Sequence, residues 1–555
     1  MRKKLARGGS AVALMLDGDL ILESPTDPQE KRILNVVEEM AIASGCPVPL
    51  VFVLNRQGSI NAFAAGYTKG DAVIGVTRGS LELLTRDELQ GVIAHEFSHI
   101  MNGDMKLNLE LTSILHGLLA INTIGAWLIR VALRVRAGAW SLALTILGTA
   151  LRFSGLLGVF FGKWIKAAVS RQREFLADAS AVQFTRNPQG IATALKKIGG
   201  LKTGSQISHY YATAMSHIFF GNALKPAFLD FLSTHPPLSE RIRAIDPSFD
   251  GRFPIIQPIA LPPLQQPKTS SPGINAANKI AVIAALSGNE FGKRVGNPTM
   301  EDLDYAKTFL SELPDQLLPL ARQSFTVPIL VYALLLDENG EIRSVQINYI
   351  REKIGEPVAN EVSKVYLQLS PLGPGAKLPL VELSFPALRN LSLEQFQFFA
   401  QHVSKLTRLD EKVSVFEFML EKLLIKDLEV NFKKAKPKGA KYFSIRPLLP
   451  DCEALLSIVA YTGQPNFERA KSAFSNIGHH LGSEALHMIP QKDLNFEILE
   501  SALDRLAGAI PAIRKKVMEA AILCAKADDR LTVKEGELLR AIASVLDCPL
   551  PPIWT

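Results

Sequence analysis

The chain has 555 residues, 47% of them hydrophobic, a mean hydropathy of +0.15 and a formal net charge of +7. That length is too great for one ordinary domain, and the apolar content is high enough to signal a local apolar excess. The charge is modest: no dense Lys/Arg stripe with interleaved aromatics marks a nucleic-acid face, whereas a cationic face toward an anionic membrane surface fits it equally well. Four cysteines, Cys46, Cys452, Cys524 and Cys548, lie without paired spacing. They exclude a disulfide framework and a Cys-type zinc site, and they fit a reducing compartment.

The chain opens MRKKLARGGSAVALMLDGD, basic and then apolar, but the apolar stretch is too short before Asp17 for a signal peptide. DAVIGVT reads as a strand. TRDELQGVIAHEFSHIMN then opens with a capping box, Thr85 to Glu88, and continues as an apolar-periodic helix. Within it His95 and His99 lie four apart, so both project from one face. Neutral imidazoles suit zinc, and Glu96, beside a ligand, can reach a water at the metal. The ordinary reading is two helix histidines beside a charged residue. With ten histidines in the chain, the pattern His-Glu-x-x-His is expected by chance in roughly one such chain in a hundred, which favours zinc.

Leu111 to Ile129 is uncharged and long enough to span a bilayer. After Arg130, Arg134 and Arg136, a second apolar run extends from Ala137 to Gly162, broken only by Arg152. Trp127, Trp140 and Trp164 lie near the run ends, where interfacial aromatics are favoured. Lys163, Lys166, Arg171 and Arg173 follow. The pattern predicts an apolar, transmembrane helical hairpin over 111–162. A buried hairpin is the competing reading, supported by His116, Asn122 and Arg152 inside the runs.

A catalytic zinc site needs a third protein ligand and an open position for water. SRQREFLADASAVQF, Ser170 to Phe184, supplies the candidate on a second helix ending at Asn187-Pro188. Glu174 completes a His₂Glu set. Asp178, one turn later, can accept from a ligating imidazole and hold its orientation. Without the upstream histidines, a solvated acidic face paired with Arg171 and Arg173 would be the better reading.

Gly251 to Pro272 is proline-rich and reads as an extended linker or a surface-hugging strap. Beyond it amphipathic helical patterns dominate, as in MEDLDYAKTFLSEL and EFMLEKLLIKDLEV. Ser414 with Glu417, and Thr532 with Glu535, have capping-box spacing and predict two helix starts rather than metal loops. The adjacent His479 and His480 point in different directions on a helix and make a poor chelate.

HEFSH, then EFLAD after an apolar insert, then THPPLSERI at Thr234 to Ile242, resembles the HtpX-type membrane zinc endopeptidases, a family that also contains the CAAX prenyl endopeptidases. The likeness runs from about Gly8 to Asp246. It implies a zincin fold, with His95, His99 and Glu174 binding Zn2+ and Glu96 as general base. It also implies that Asn61 lies on a substrate-binding edge strand and that His235 and Arg241 line the site. Asn61 and His235 could donate to an oxyanion, and Arg241 could hold Glu174 or the developing charge. HtpX-type proteins usually carry a membrane hairpin before the protease domain. This sequence has none and starts at what would be its exit, RKKLARGG, so either the start is truncated or mis-assigned or the internal hairpin serves alone. The last fifty or so residues, including AKADDRLTVKEGELLRAIASVLDCPLPP, resemble the helical TerB-like module.

The sequence thus predicts an α+β zincin-like metalloprotease domain over residues 1–250 with an inserted apolar helical hairpin at 111–162. A linker (251–272), a mostly α-helical region of unknown role (273–500) and a TerB-like module (501–555) follow. The expected function is zinc-dependent endopeptidase action on membrane or misfolded proteins. The expected setting is a bacterial-type inner membrane, with a lipid bilayer as partner and the catalytic face cytoplasmic. The alternative is a protease-like adaptor that recruits partners through its helical C-terminal region. On this division, a chain ending near Pro272 keeps zinc and generic activity.

Overall fold

The computed structural model describes residues 8–21, 25–134, 138–209, 211–223, 235–259, 295–409, 415–433, 440–463, 467–475, 477–481, 486–526 and 531–552. They form two compact units. One comprises Met1–Ile21 and Leu50–Pro267, the other Leu22–Pro49 and Lys268–Thr555. The segment 22–49, which a single domain over 1–250 would include, therefore packs with the C-terminal half.

In chain order the first elements are α1 (Gly9–Met15), β1 (Asp19–Leu20), α2 (Pro28–Ser44, which belongs to the second unit), β2 (Leu50–Leu54), β3 (Ala62–Ala65), β4 (Val73–Thr77), α3 (Arg78–Leu83), α4 (Arg86–Asn102), α5 (Asp104–Ala132), α6 (Ala139–Thr185), α7 (Pro188–Gly200) and α8 (Leu238–Ile245). The sheet order is β1-β2-β4-β3, with β2 and β4 parallel and both outer strands antiparallel to their neighbours. The strand expected in DAVIGVT is β4. The first unit's core joins Val12, Ala13 and Leu16 of the α1 region to Phe52, Leu54, Phe63, Leu109 and Phe219. The short apolar stretch near the start of the chain is thus core material.

Local sequence explains why α4 starts and stops where it does. Thr85 Oγ1 accepts from the Glu88 amide (3.3 Å), and Glu88 accepts from the Thr85 amide (2.8 Å). Gly103 ends the helix in the left-handed region, φ 71°, with open space around it, so conformation rather than crowding calls for glycine there. Gly91 is required for the opposite reason. A Cβ on it would stand 2.7 Å from the Ile191 amide, so its absence lets α4 lie directly on α7.

α5 and α6 pack along each other antiparallel, through a seam in which Gly125 and Gly148 are in backbone contact and Gly155 meets Asn122. α6 is one helix of 47 residues. The sequence reading separates its apolar half from the Glu174 half. The two are continuous because no proline or glycine pair interrupts 163–185. Large apolar side chains face outward: Trp140 and Leu133 are 80% exposed, Phe153 63% and Ile114 60%. Ala139–Phe160 is long and apolar enough to cross a membrane, and only 17% of its most apolar window is buried. The side chains of His116, Lys163, Trp164 and Lys166 lie outside the described residues.

In the first unit, the described start of the proline-rich segment is docked as a strap. Ile256 bridges Leu201 in parallel, and Phe253 packs on Phe249 at 5.4 Å between centroids. Residues 260–272 lie outside the described set.

The second unit is helical. α2 has Asp27 as N-cap, Pro28 in its first turn and Gly45 as a left-handed C-cap. Ile33, Val36, Val37, Met40, Ala41 and Ile42 are buried, and the helix packs on α9 (Met300–Glu312) and α11 (Lys377–Arg389) with Arg322 of α10 (Leu317–Arg322) paired to Glu38 at 2.8 Å. EFMLEKLLIKDLEV lies in α12 (Val415–Lys433). Thr532 and Glu535 form the capping box of α13 (Val533–Val545); Ser414 lies outside the described residues. Arg540 of α13 is fully buried between Glu537 (2.9 Å) and Glu382 of α11 (3.3 Å). Residues 501–555 thus share one packing unit with residues 300–389.

Candidate metal centre

α4 and α6 bring His95, His99 and Glu174 together. One ligand atom from each lies within 4.8 Å of the others. The two Nε2 atoms are 3.2 Å apart, and Glu174 Oε2 and Oε1 stand 3.8 and 3.7 Å from His95 and His99. Each imidazole turns its other nitrogen to a carboxylate. His95 Nδ1 lies 2.9 Å from Asp178 Oδ1, and His99 Nδ1 lies 2.9 Å from Asp104 Oδ2. Donation through Nδ1 leaves bare lone pairs at the two Nε2 atoms, which face each other and require a proton or a cation between them. Two nitrogens on one tetrahedral zinc stand about 3.3 Å apart. The donor set and spacing fit a metal of that kind, and carboxylate-held imidazoles are the usual outer arrangement of such sites.

The surrounding charges are arranged around that gap. Burial pushes the Glu96 carboxyl up to about 8; the neighbouring Glu174 charge adds to the rise, while His99 and the Ala64 amide oppose it. Burial pulls His99 down, but its bond to Asp104 and the nearby Glu174 and Glu96 carboxylates carry it up to about 9. Glu174 resists the upward pull of burial because His235 and Arg241 hold it well below the carboxylate range. His95 is lowered by burial despite Asp178.

His235 Nδ1 is 3.0 Å from Glu174 Oε2, and its Nε2 is 3.3 Å from the Ser216 carbonyl. Both ring nitrogens are turned to protein acceptors. Arg241 is fully buried. Its Nε and Nη2 donate to the two Asp178 oxygens at 2.8 and 2.7 Å, its Nη1 donates to the Phe220 carbonyl and approaches Glu174 at 3.4 Å, and its guanidinium lies over the Phe220 ring.

Asn61 corrects the sequence reading. It is completely buried before β3. Its Nδ2 donates to the carbonyls of Ser205 (2.6 Å) and Gly221 (3.2 Å), and its Oδ1 accepts from the amides of Ala62 and Gly221. Neither hydrogen is left for an incoming carbonyl. What Asn61 does is bind segment 219–221 to β3, and that segment reaches the cluster through Phe220, whose ring lies perpendicular to that of His95 with 4.9 Å between centroids. β3 is the sheet edge. Asn61, Phe63 and Ala65 turn their backbone groups toward β4, so those of Ala62 and Ala64 face outward. Part of that edge is already covered: Phe219 bridges Phe63 in antiparallel, Phe220 donates to the Ala62 carbonyl, and the Ala64 amide faces Glu96.

Sequence reasoning missed Asp104 and Phe220. Asp104 was visible only as the acid after a glycine helix stop; nothing in the sequence marks Phe220.

A buried His-His-carboxylate triplet beside a glutamate whose carboxyl is pushed up to about 8 can hold a metal ion next to a group able to exchange a proton. Residues 27–248 match Peptidase family M48. The chain is 38% identical over 224 residues to a "Protease HtpX homolog" of Dictyoglomus thermophilum, covering 40% of this chain and 71% of that protein. It is 36% identical over 225 residues to one from Streptococcus pyogenes serotype M28, covering 40% and 74%. No solved structure matches the chain. The chain belongs to peptidase family M48, and it is a protease of the HtpX type whose His-His-Glu cluster can bind a metal.

Proposed function

We propose that the chain is a membrane-associated zinc endopeptidase acting on extended segments of membrane or misfolded proteins. The observation that carries the reading is the triplet His95, His99 and Glu174, with both histidines held through Nδ1 by carboxylates. When bound there, zinc supplies Lewis acidity toward the scissile carbonyl and acidifies water toward neutrality. Glu96, buried beside the triplet, takes the proton from the attacking water and passes it to the leaving amine. The Ala64 carbonyl, on the outward side of β3, accepts from the substrate main chain. Asp178 orients His95, Arg241 fixes Asp178, and His235 positions Glu174. Asn61 is a positioning residue for the 219–221 segment.

The outward apolar surface of α5 and α6 supports insertion in a bilayer, and the basic residues Arg171 and Arg173 beside the protease support a cytoplasmic catalytic face in a bacterial-type inner membrane. The zincin-like fold is supported by the pairing of α4 with the β3 edge. The C-terminal helices, including the TerB-like segment, choose substrates or partners without supplying chemistry. An intact Glu96 and triplet speak against a pure adaptor.

The test is zinc content of protein purified without chelators, together with casein hydrolysis with and without chelator. One zinc per chain, chelator-sensitive cleavage, and a Glu96→Gln variant that keeps zinc but loses cleavage by 10²–10⁴-fold are expected. Metal-free active protein, or undiminished cleavage by Glu96→Gln, overturns the reading.

A further inference from the structure

The base of the apolar hairpin converges on one metal-site histidine. α4 stops at Gly103 and α5 begins at the next residue, Asp104. The left-handed turn at Gly103 brings Asp104 back beside His99, five positions earlier, a partnership that a continuous helix would not produce. One Asp104 oxygen lies 2.9 Å from His99 Nδ1, and Arg173 Nη1 donates to the other. Arg173 comes from α6, directly before Glu174 in sequence. Asp104 is buried while Arg173 is about one-third exposed, so the pair is anchored on the buried side.

We infer that Asp104 is the positioning residue for His99 and that Arg173, reaching across from α6, holds Asp104 in place, so that metal retention depends on closure of the α5–α6 base. This rests on the metal-centre reading above. His95 has a partner of its own in Asp178, which Arg241 fixes from α8. The two histidines are therefore held by separate acid–arginine pairs, one from the folded body of the unit and one from the root of the apolar arms. Arg173 also compensates the charge of the buried Asp104. Loss of either partner lets the His99 ring rotate or change tautomer, and a ligand without its outer carboxylate typically binds metal 10–100-fold more weakly.

The experiment uses the full chain in detergent. Zinc affinity is measured by chelator competition, and the cobalt-substituted protein gives a visible spectrum that reports the ligand field. Asp104→Asn and Arg173→Gln should each lower zinc affinity 10–100-fold and alter the cobalt spectrum. Far-UV circular dichroism of the metal-free proteins should be unchanged. Arg173→Lys should recover most of the loss, because a cation still reaches the exposed side of Asp104. If Asp104→Asn fails to fold, Arg173→Gln at the more exposed position decides. Wild-type affinity and spectrum in Arg173→Gln, or Arg173→Lys no better than Arg173→Gln, overturns the inference. A wild-type protein that binds no metal instead overturns the functional reading on which it rests.

Discussion

Both hydrogens of the Asn61 amide are donated to main-chain carbonyls and its oxygen accepts two more bonds. Asn61→Ala leaves those buried groups unmatched and should destabilise the first unit by about 2–4 kcal/mol. A direct oxyanion donor would instead lose 10²–10³-fold in kcat. Thermal melting and peptide kinetics on the same variant separate the two: an unchanged Tm with a hundredfold loss in kcat would return Asn61 to the reacting carbonyl. A second prediction concerns protons. Without metal, His99 (about 9) and Glu96 (about 8) both hold theirs at pH 7. A cation between the Nε2 atoms displaces the first and draws down the second. Binding at pH 7 should release between one and two protons, with affinity rising from pH 6 toward pH 9 as competition by protons fades. Calorimetry in buffers of different ionisation enthalpy measures the count, and zero release would contradict the charge arrangement. His95, Glu96 and His99 were legible because one helical turn links them. Asp104 was not, because its approach to His99 depends on the helix break at Gly103. Nor could sequence show that Asn61 has no free hydrogen.

The elements were legible where the chain carries its own punctuation. Thr85 with Glu88 and Thr532 with Glu535 each mark a helix start, and the structure places capped helices there; Asn187-Pro188, read as a helix end, follows the end of α6 at Thr185 and also opens α7. The continuity of α6 was harder to read, since a change from apolar to charged composition looks like a boundary although the backbone has no reason to stop. That continuity has a physical consequence: the outward apolar half of α6 and the Glu174 half are one rod. The described outward surface includes Ile124, Trp127, Leu142, Ile146 and Phe153, each more than half exposed, an apolar load large for a water-facing monomer. The full chain should float with lipid vesicles, and a variant with those five residues changed to Ser or Gln should stay in the aqueous fraction. A parent protein that is monodisperse without detergent and fails to float would mean that these arms are covered by protein instead.

Amphipathic spacing shows that α2 has a face to bury, but not which half of the chain covers it. The chain passes into the second unit after Ile21, returns at Leu50, and leaves again after Pro267. A sequence division near residue 250 suggests that truncation at Pro272 releases a working protease. The packing predicts otherwise. Ile33, Val36, Val37, Met40, Ala41 and Ile42 are at most 1% exposed, and α2 packs on α9 and α11, both absent from the shortened chain. Fully burying one such side chain contributes about 1.5–3 kcal/mol, and native stability is only about 5–15 kcal/mol. Unmasking this face should therefore be enough to cause association or local unfolding. Gly45, whose Cβ would stand 2.2 Å from the Leu550 carbonyl, extends the same dependence almost to the C-terminus. The Pro272 truncation should elute as aggregate and bind a hydrophobic dye. Changing Ile33, Val37 and Met40 to polar residues in that truncation should lessen both effects. A monodisperse, dye-negative truncation that retains its metal would show that α2 finds cover without the C-terminal helices, and the protease would then be separable after all.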